Sequence, residues 1–128
     1  MGVNASALLF LTQSALTHMK EKGGKIIAIS SLGSSHFTPN YGAIGISKAA
    51  LESLVRYLAV ELAPYRILVN AGSGGLIETE SLNMFPQIES MKKESLKRTP
   101  GGRLGTPTDI ANVVSFLLGP TSNWIFGQ

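Results

Sequence analysis

Lys25-Ile26-Ile27-Ala28-Ile29-Ser30 is a short apolar run rich in β-branched side chains and flanked by glycine and serine. Such a run reads as a strand buried on both faces of a parallel sheet. Arg66-Ile67-Leu68-Val69-Asn70-Ala71 repeats the pattern. Between them, Tyr41 to Leu62 reads as a long helix with Leu51, Leu54, Val55, Leu58 and Leu62 along one face. Ala43, Ala49, Ala50 and Tyr57 lie elsewhere around it, so more than one side is apolar, and Pro64 ends it. Upstream, Asn4 to Lys22 reads as another helix, with Leu8, Leu11, Ala15 and Met19 at three- and four-residue steps and Leu9 and Phe10 widening the apolar face. Gly23 and Gly24 stop it.

Downstream, Gly72 to Gly75 is a glycine-rich loop, residues 80 to 99 are amphipathic, and Pro100-Gly101-Gly102 breaks them. Thr106-Pro107-Thr108-Asp109 is a helix start, with a hydroxyl cap, proline in first position and an acid in the first turn. That helix runs through Val113, Val114, Phe116 and Leu117 to Gly119-Pro120, and Trp124-Ile125 offers the start of one more strand. Helix, strand, helix, strand, helix implies parallel strands with right-handed crossovers. The expected fold class is α/β, the C-terminal portion of a doubly wound Rossmann-like parallel sheet, incomplete, with residues 1–128 as a single partial domain.

Composition narrows the function. The chain is 44% hydrophobic and 15% charged, which suits a compact fold. It has no cysteine, so disulfides and thiolate metal sites are excluded, and a reducing cytoplasm is the expected location. The apolar run Ala7–Leu11 is too short for a membrane span and lacks the basic lead of a signal peptide, so no targeting segment is read. Eleven basic against eight acidic residues give +3, and no arginine-rich run or aromatic platform points to nucleic acid.

The residues that carry chemistry cluster after the first strand: Ser31 at its end, Tyr41 ten positions later, and Lys48 seven beyond that. In open α/β sheets the ligand crevice lies outside the carboxyl ends of the strands, where Ser31 would sit. A tyrosine opening a helix is by itself more often packing than catalysis. Its company here decides otherwise. Ile29-Ser-Ser-Leu-Gly through Tyr41-Gly-Ala-Ile-Gly-Ile-Ser-Lys48-Ala-Ala-Leu resembles the active-site segment of the short-chain dehydrogenases/reductases. Asn4, in Gly2-Val3-Asn4-Ala5, is similar to that family's helix asparagine, and Asn70 through Thr79 to the strand and loop that hold the nicotinamide carboxamide. The similarity runs from about Gly2 to Gln128.

One departure separates subgroups. Most of the family place tyrosine four residues before the lysine, where this chain has Ile44. Tyr41 stands seven before Lys48, which resembles the enoyl-acyl-carrier-protein reductases, and with Ser31 the pattern is similar to the type III enzymes of bacilli. Seven helical residues separate side chains on one face by about 10 Å, four by about 6 Å, so the shorter spacing lets the ammonium depress the tyrosine pKa more strongly. A carbonyl reductase needs that effect. An enoyl reductase builds charge on a more distant thioester oxygen, which a phenol placed further out can hydrogen-bond.

The resemblance implies the following roles. Tyr41 stabilises the enolate, Lys48 binds the ribose hydroxyls and supplies positive charge, and Ser31 orients the substrate carbonyl or Tyr41. Asn4 supports Lys48 through backbone or water contacts. Gly75, Ile77 and Thr79 belong to the cofactor loop, with the Ile77 backbone and Thr79 on the carboxamide. The implied cofactor is NADPH, with NADH as the alternative, the implied substrate an enoyl thioester on acyl carrier protein, and the implied assembly a homotetramer through the first two helices.

Other features have plainer readings beside the functional ones. Gly72-Ser73-Gly74-Gly75 looks like a phosphate cradle, but Ile77 fills the last glycine position of the dinucleotide fingerprint, so it reads as a carboxamide loop. Met84, Phe85, Ile88 and Met91 suit an acyl-chain pocket or an ordinary packed helix equally. Lys92, Lys93, Lys97 and Arg98 suit an acidic carrier protein or, more simply, a solvated face. His36 reads as a loop residue and His18 as uninvolved. The pyrophosphate-binding turn of a full family member is not found in these residues, so the chain alone is expected to show little or no activity. A 3-oxoacyl reductase and a non-catalytic assembly fragment are the competing readings.

Overall fold

The computed structural model describes residues 2–128. Its elements in chain order are α1 (Ala7–Met19), β1 (Gly24–Ile29), α2 (Gly42–Leu62), β2 (Ile67–Gly72), α3 (Ile88–Arg98) and α4 (Pro107–Leu118). β1 and β2 pair in parallel, from Gly24 opposite Ile67 to Ile29 opposite Gly72, with α2 as the connection between them. The fold is α/β, built on a short parallel sheet.

The β2 run is buried on both faces, as its composition predicts. Ile67 and Val69 are fully buried in the core made with α1 and α2, and Leu68, pointing to the other face, is buried as well. α4 packs against both strands. From α2, Leu51, Val55, Leu58 and Leu62 are all buried, and each such aliphatic side chain stabilises by about 1.5–3 kcal/mol relative to exposure. β1 departs from the expectation of full burial. Only Ala28 is buried, and Ile29 is 47% exposed. The reason is positional: β1 is paired on one edge only among the described residues.

α1 shows a second departure. The expected face included Leu11, but Leu11 is 69% and Phe10 63% exposed. The inward stripe is instead Ala5, Leu8, Thr12, Leu16 and Met19, itself spaced by threes and fours. The helix read from Asn4 also divides, because Gly2–Ser6 is wound as a π-helix before α1 begins.

At the end of α1, Gly23 has φ +75° and lies against Arg66, where a Cβ would stand 2.7 Å from the Arg66 carbonyl oxygen. The glycine break is therefore required by both conformation and space.

Residues 80–99 do not form one helix. A 3₁₀ turn covers Glu80–Met84, and α3 starts only after Pro86, whose missing N–H and ring forbid a continuous helix. α4 starts as expected. The Thr106 hydroxyl accepts from the Asp109 amide (3.3 Å), the Asp109 carboxylate accepts from the Thr106 amide (2.7 Å), and Pro107 is first in the helix.

Trp124-Ile125 do not start a regular strand, yet the tail still runs beside β2. Gly127 N–H donates to the Val69 carbonyl (2.9 Å) and Ala71 N–H to the Gln128 carbonyl (2.6 Å). No described helix is long and apolar enough to cross a membrane.

Candidate active site

The site forms where β1 runs out. Ser30 N–H still donates to the Gly72 carbonyl (2.8 Å), and Ser31 follows in extended conformation. The Ser31 hydroxyl caps the 3₁₀ turn Leu32–Ser34 by accepting from Gly33 N–H (3.3 Å). Pro39 and Asn40 then turn the chain into α2, with Asn40 in the left-handed region that asparagine tolerates (φ 59°). Tyr41 stands at the N-cap of α2, its carbonyl accepting from Gly45 N–H at 2.8 Å.

The Tyr41 hydroxyl donates to Ser31 Oγ at 3.1 Å. Ser31 Oγ thus accepts twice, from Tyr41 and from the Gly33 amide. Both lone pairs are engaged, and its own proton is left to donate outward. While Tyr41 donates to Ser31, the pair presents one free hydroxyl proton, that of Ser31.

Lys48 Nζ donates to the Ile29 carbonyl at the end of β1 (2.6 Å). Partial burial lowers its pKa from the ordinary lysine value. One bond leaves two ammonium protons to spend on another ligand. Tyr41 and Lys48 do not bond to each other among the described contacts. Ser31 is the link between the tyrosine and the strand end that holds the ammonium.

Asn4 makes no direct hydrogen bond to Lys48 among the described residues. From the π-helical turn its Nδ2 donates to Ser47 Oγ (2.6 Å), and Ser47 in turn donates to the Ile44 carbonyl (2.7 Å). Asn4 thus grips the residue before Lys48 and braces the first turns of α2. Ser47 went unread in the sequence. Its only signal was a hydroxyl in the inward stripe of α2, where it is 3% exposed.

The loop after β2 approaches from the other side. Gly74 is pressed against α4, where a Cβ would stand 2.1 Å from Ile110 Cδ1. Gly75 has φ +70° with open space beside it. Ile77 forms a parallel bridge with Gly105, made by Glu78 N–H to the Gly105 carbonyl (2.8 Å) and Gly105 N–H to the Leu76 carbonyl (3.2 Å). The amide and carbonyl of Ile77 itself take no partner among the described residues. Thr79 is exposed, its hydroxyl 3.1 Å from that of Ser81.

A nicotinamide riboside offers two hydroxyls and a carboxamide. The unspent groups here are an ammonium, a free peptide amide and carbonyl, and a threonine hydroxyl. The residues present fit that group.

Asn70, at the head of this block, has a different task. It is 2% exposed, and its side chain donates to the Ile125 carbonyl (2.8 Å) and accepts from Gln128 N–H (2.9 Å). It ties the tail to β2, a role the sequence did not disclose.

The two residues read toward an acyl chain part company. Phe85 is half-buried against Tyr41, with ring centroids 6.3 Å apart, whereas Met84 is 83% exposed. On α3, Lys97 and Arg98 pair with Glu94 on the surface, leaving Lys92 and Lys93 without an ion pair among the described residues. His36 Nδ1 meets Ser35 Oγ (2.9 Å) on the loop, and His18 is exposed. No group of three or more His, Asp or Glu side chains that could hold a metal occurs among the described residues.

Comparison with known proteins bears on this geometry. The family model described as "Enoyl-(Acyl carrier protein) reductase" matches residues 1–128. The chain is 46% identical over 112 residues to 1-cyclohexenylcarbonyl-CoA reductase of Streptomyces collinus, covering 86% of this chain and 40% of that protein. It is 38% identical over 129 residues to the 3-oxoacyl-[acyl-carrier-protein] reductase of Aquifex aeolicus, covering 98% of this chain and 50% of that protein. Among solved structures, the Bacillus cereus enoyl-acyl carrier protein reductase with NADP+ and an indole naphthyridinone matches with TM-score 0.89 and 32% identity. That match covers 96% of this chain and 48% of the other. The chain spans about half the length of the curated relatives it matches.

Proposed function

We propose, since the chain belongs to the short-chain dehydrogenase/reductase family, that it carries the catalytic residues of a reductase acting on the carbon–carbon double bond of an enoyl thioester. The observation that carries this reading is the Tyr41 hydroxyl donating to Ser31 Oγ from the N-cap of α2, with Ile44 at the position where a tyrosine would serve carbonyl reduction.

NADPH is the proposed cofactor, as in the Bacillus cereus relative solved with NADP+, with NADH, named for the Aquifex aeolicus enoyl-[acyl-carrier-protein] reductase, as the alternative. When bound, the nicotinamide supplies the hydride. Lys48 would hold the ribose hydroxyls with its two unspent protons, while the Ile77 backbone and Thr79 would hold the carboxamide.

Hydride addition at the β-carbon would move negative charge onto the thioester oxygen, and a proton taken up from solvent at the α-carbon would complete the reduction. Tyr41 then transfers its hydrogen bond from Ser31 to that oxygen, and Ser31 donates its free proton alongside. The Ser31 oxygen is held by its cap and the Tyr41 ring by its packing on Phe85, so only the Tyr41 hydroxyl proton has to turn from Ser31 as the charge develops. Phe85, packed on Tyr41, would border the acyl group.

The thioester carrier is proposed to be acyl carrier protein, with Lys92 and Lys93 as the cationic side chains available to it. Exposed Phe10 and Leu11 on α1 and Ile46, Tyr57 and Val60 on α2 are proposed to be covered by neighbouring subunits of a homotetramer.

The test is a chimera in which residues 2–128 replace the matching half of the Bacillus cereus reductase, assayed with crotonyl and acetoacetyl thioesters. Reduction of the crotonyl thioester is expected, with Tyr41→Phe lowering kcat by roughly 10²–10³-fold. A chimera that folds and reduces only the acetoacetyl thioester would establish the carbonyl reductase reading instead.

A further inference from the structure

The Ser31–Tyr41 pair is only as good as the loop that presents Ser31. That loop has one anchor on α2 outside the residues discussed so far. The Glu52 carboxylate oxygen Oε1 accepts from the Ser30 hydroxyl and from the Ser34 hydroxyl, the latter at 2.6 Å. These two serines bracket the segment that bears Ser31: Ser30 is its entry from β1 and is 9% exposed, and Ser34 closes the 3₁₀ turn that Ser31 caps. Ser34 N–H also donates back to the Ser31 carbonyl (3.0 Å). One carboxylate oxygen therefore closes both ends of a five-residue segment and binds them to the helix that carries Tyr41 and Lys48.

We infer that Glu52 is a positioning residue: by holding Ser30 and Ser34 it fixes Ser31 Oγ within hydrogen-bond reach of the Tyr41 hydroxyl. Hydrogen bonds from hydroxyls to a carboxylate are among the stronger ones available to a side chain. They suit a task in which a shift of about 1 Å in a catalytic group can cost about 10²-fold in rate. Four residues separate Lys48 from Glu52, one helical turn, so the residue that spans the loop and the residue at the strand end project from neighbouring positions of α2. Among the described residues Glu52 makes no hydrogen bond or ion pair with Tyr41 or Lys48, and its influence passes through the serines. The catalytic meaning of this device rests on the reading of Tyr41 given above, but the geometric claim does not.

The deciding measurement reports on the hydrogen bond itself. The chain has three tyrosines, so ¹³C labelling at the ring carbon bonded to oxygen gives three signals, and Tyr41→Phe assigns the one of interest. Ser31→Ala sets the position of that signal when the bond is lost. Glu52→Ala is expected to move it most of the way to the Ser31→Ala position, while the Tyr57 and Tyr65 signals stay in place as evidence of folding. Glu52→Gln, whose amide oxygen can still accept from both serines, is expected to leave it near the wild-type position.

Should Glu52→Ala unfold the chain, Ser34→Ala removes one of the two ties from the loop side and is expected to move the signal part of the way. A Tyr41 signal unmoved in whichever of these two variants folds overturns the inference, and so does Glu52→Gln behaving like Ser31→Ala. In the chimera, Glu52→Ala should lower kcat by about 10–100-fold with KM little changed. A wild-type chimera without activity would count against the proposed reaction and leave the spectroscopic result standing.

Discussion

Removing the Asn70 side chain should release the tail from β2. In Asn70→Ala two hydrogen bonds disappear, from Nδ2 to the Ile125 carbonyl (2.8 Å) and from Gln128 N–H to Oδ1 (2.9 Å). Each is worth about 1 kcal/mol net, and each backbone partner left dry adds about 1–3 kcal/mol. Ile125 is only half-buried, so water satisfies part of what is left behind. The expected loss is about 2–4 kcal/mol, a large share of the roughly 5–15 kcal/mol that holds a domain together. In urea, where m is about 1–3 kcal/mol per molar, the midpoint should fall by roughly 1–2 M.

Hydrogen exchange localises the effect. The amides of Gly127 and Ala71, bonded between tail and strand, should lose protection, while that of Ser30, bonded to Gly72 on the other side, should keep most of it. Asn70→Asp sharpens the test. It keeps an acceptor for Gln128 but sets a carboxylate oxygen against the Ile125 carbonyl, so at neutral pH it should destabilise at least as much as alanine. A loss under about 0.5 kcal/mol in Asn70→Ala, well below the cost of two part-buried bonds, with Gly127 and Ala71 still protected, would refute the clamp.

Three further outcomes follow from the same reasoning. Ser122 is 1% exposed, accepts from Lys25 Nζ (2.8 Å) and donates to the Leu117 carbonyl (2.7 Å), so Ser122→Ala should cost about 1–3 kcal/mol in chemical denaturation by leaving a buried carbonyl unpaired. Thr106→Ala removes the hydroxyl cap of α4 and should cost about 1 kcal/mol, seen as lost helicity and a lower melting temperature. Asp109 is held well below the usual carboxylate range, first by Arg103 and then by the Thr106 amide and hydroxyl. Its folded pKa is thus depressed, so its contribution is present above the unfolded value of about 4 and drains away as pH falls below it. Asp109→Asn should flatten the acid limb of the stability–pH profile, and an unchanged limb would assign the acid loss to other groups.

What the sequence disclosed and what it hid divide along a physical line. The two β-branched runs, the apolar stripe of α2 and the Thr106–Asp109 cap are local signals, and the structure has each where it was read. The Ser31, Tyr41 and Lys48 spacing was likewise legible, because one helix and one strand end suffice to gather it. The failures lie where a partner decides. β1 was read as buried on both faces, but burial depends on what lies at its outer edge, which a run of isoleucines does not record. The sequence puts Leu11 on the inner face of α1, and packing selects the stripe holding Thr12 instead. Asn4 to Ser47, Asn70 to Gln128 and Glu52 to Ser30 join residues 43, 58 and 22 positions apart. A polar residue within an apolar stripe shows that some partner exists, without naming it.

The placement of Tyr41 rests on such a partnership. A tyrosine at position 44 would stand inside the first turn of α2, whereas Tyr41 stands at the cap, where its ring lies over the loop rather than along the helix. The loop must then be thin at that point. It is: a Cβ on Gly33 would fall 2.5 Å from the Tyr41 ring, closer than real carbon atoms approach. Gly45 completes the arrangement from the helix side, since a Cβ there would fall 2.5 Å from the Gly33 carbonyl oxygen. With both glycines bare, the loop sits down on α2, the ring sits down on the loop, and the hydroxyl arrives 3.1 Å from Ser31. The N-cap position of Tyr41 and the two glycines are thus one structural feature of this chain. A side chain at position 33 would push the phenol off Ser31 even with Tyr41 and Lys48 intact, so in this chain the pair depends on the glycines as much as on the spacing.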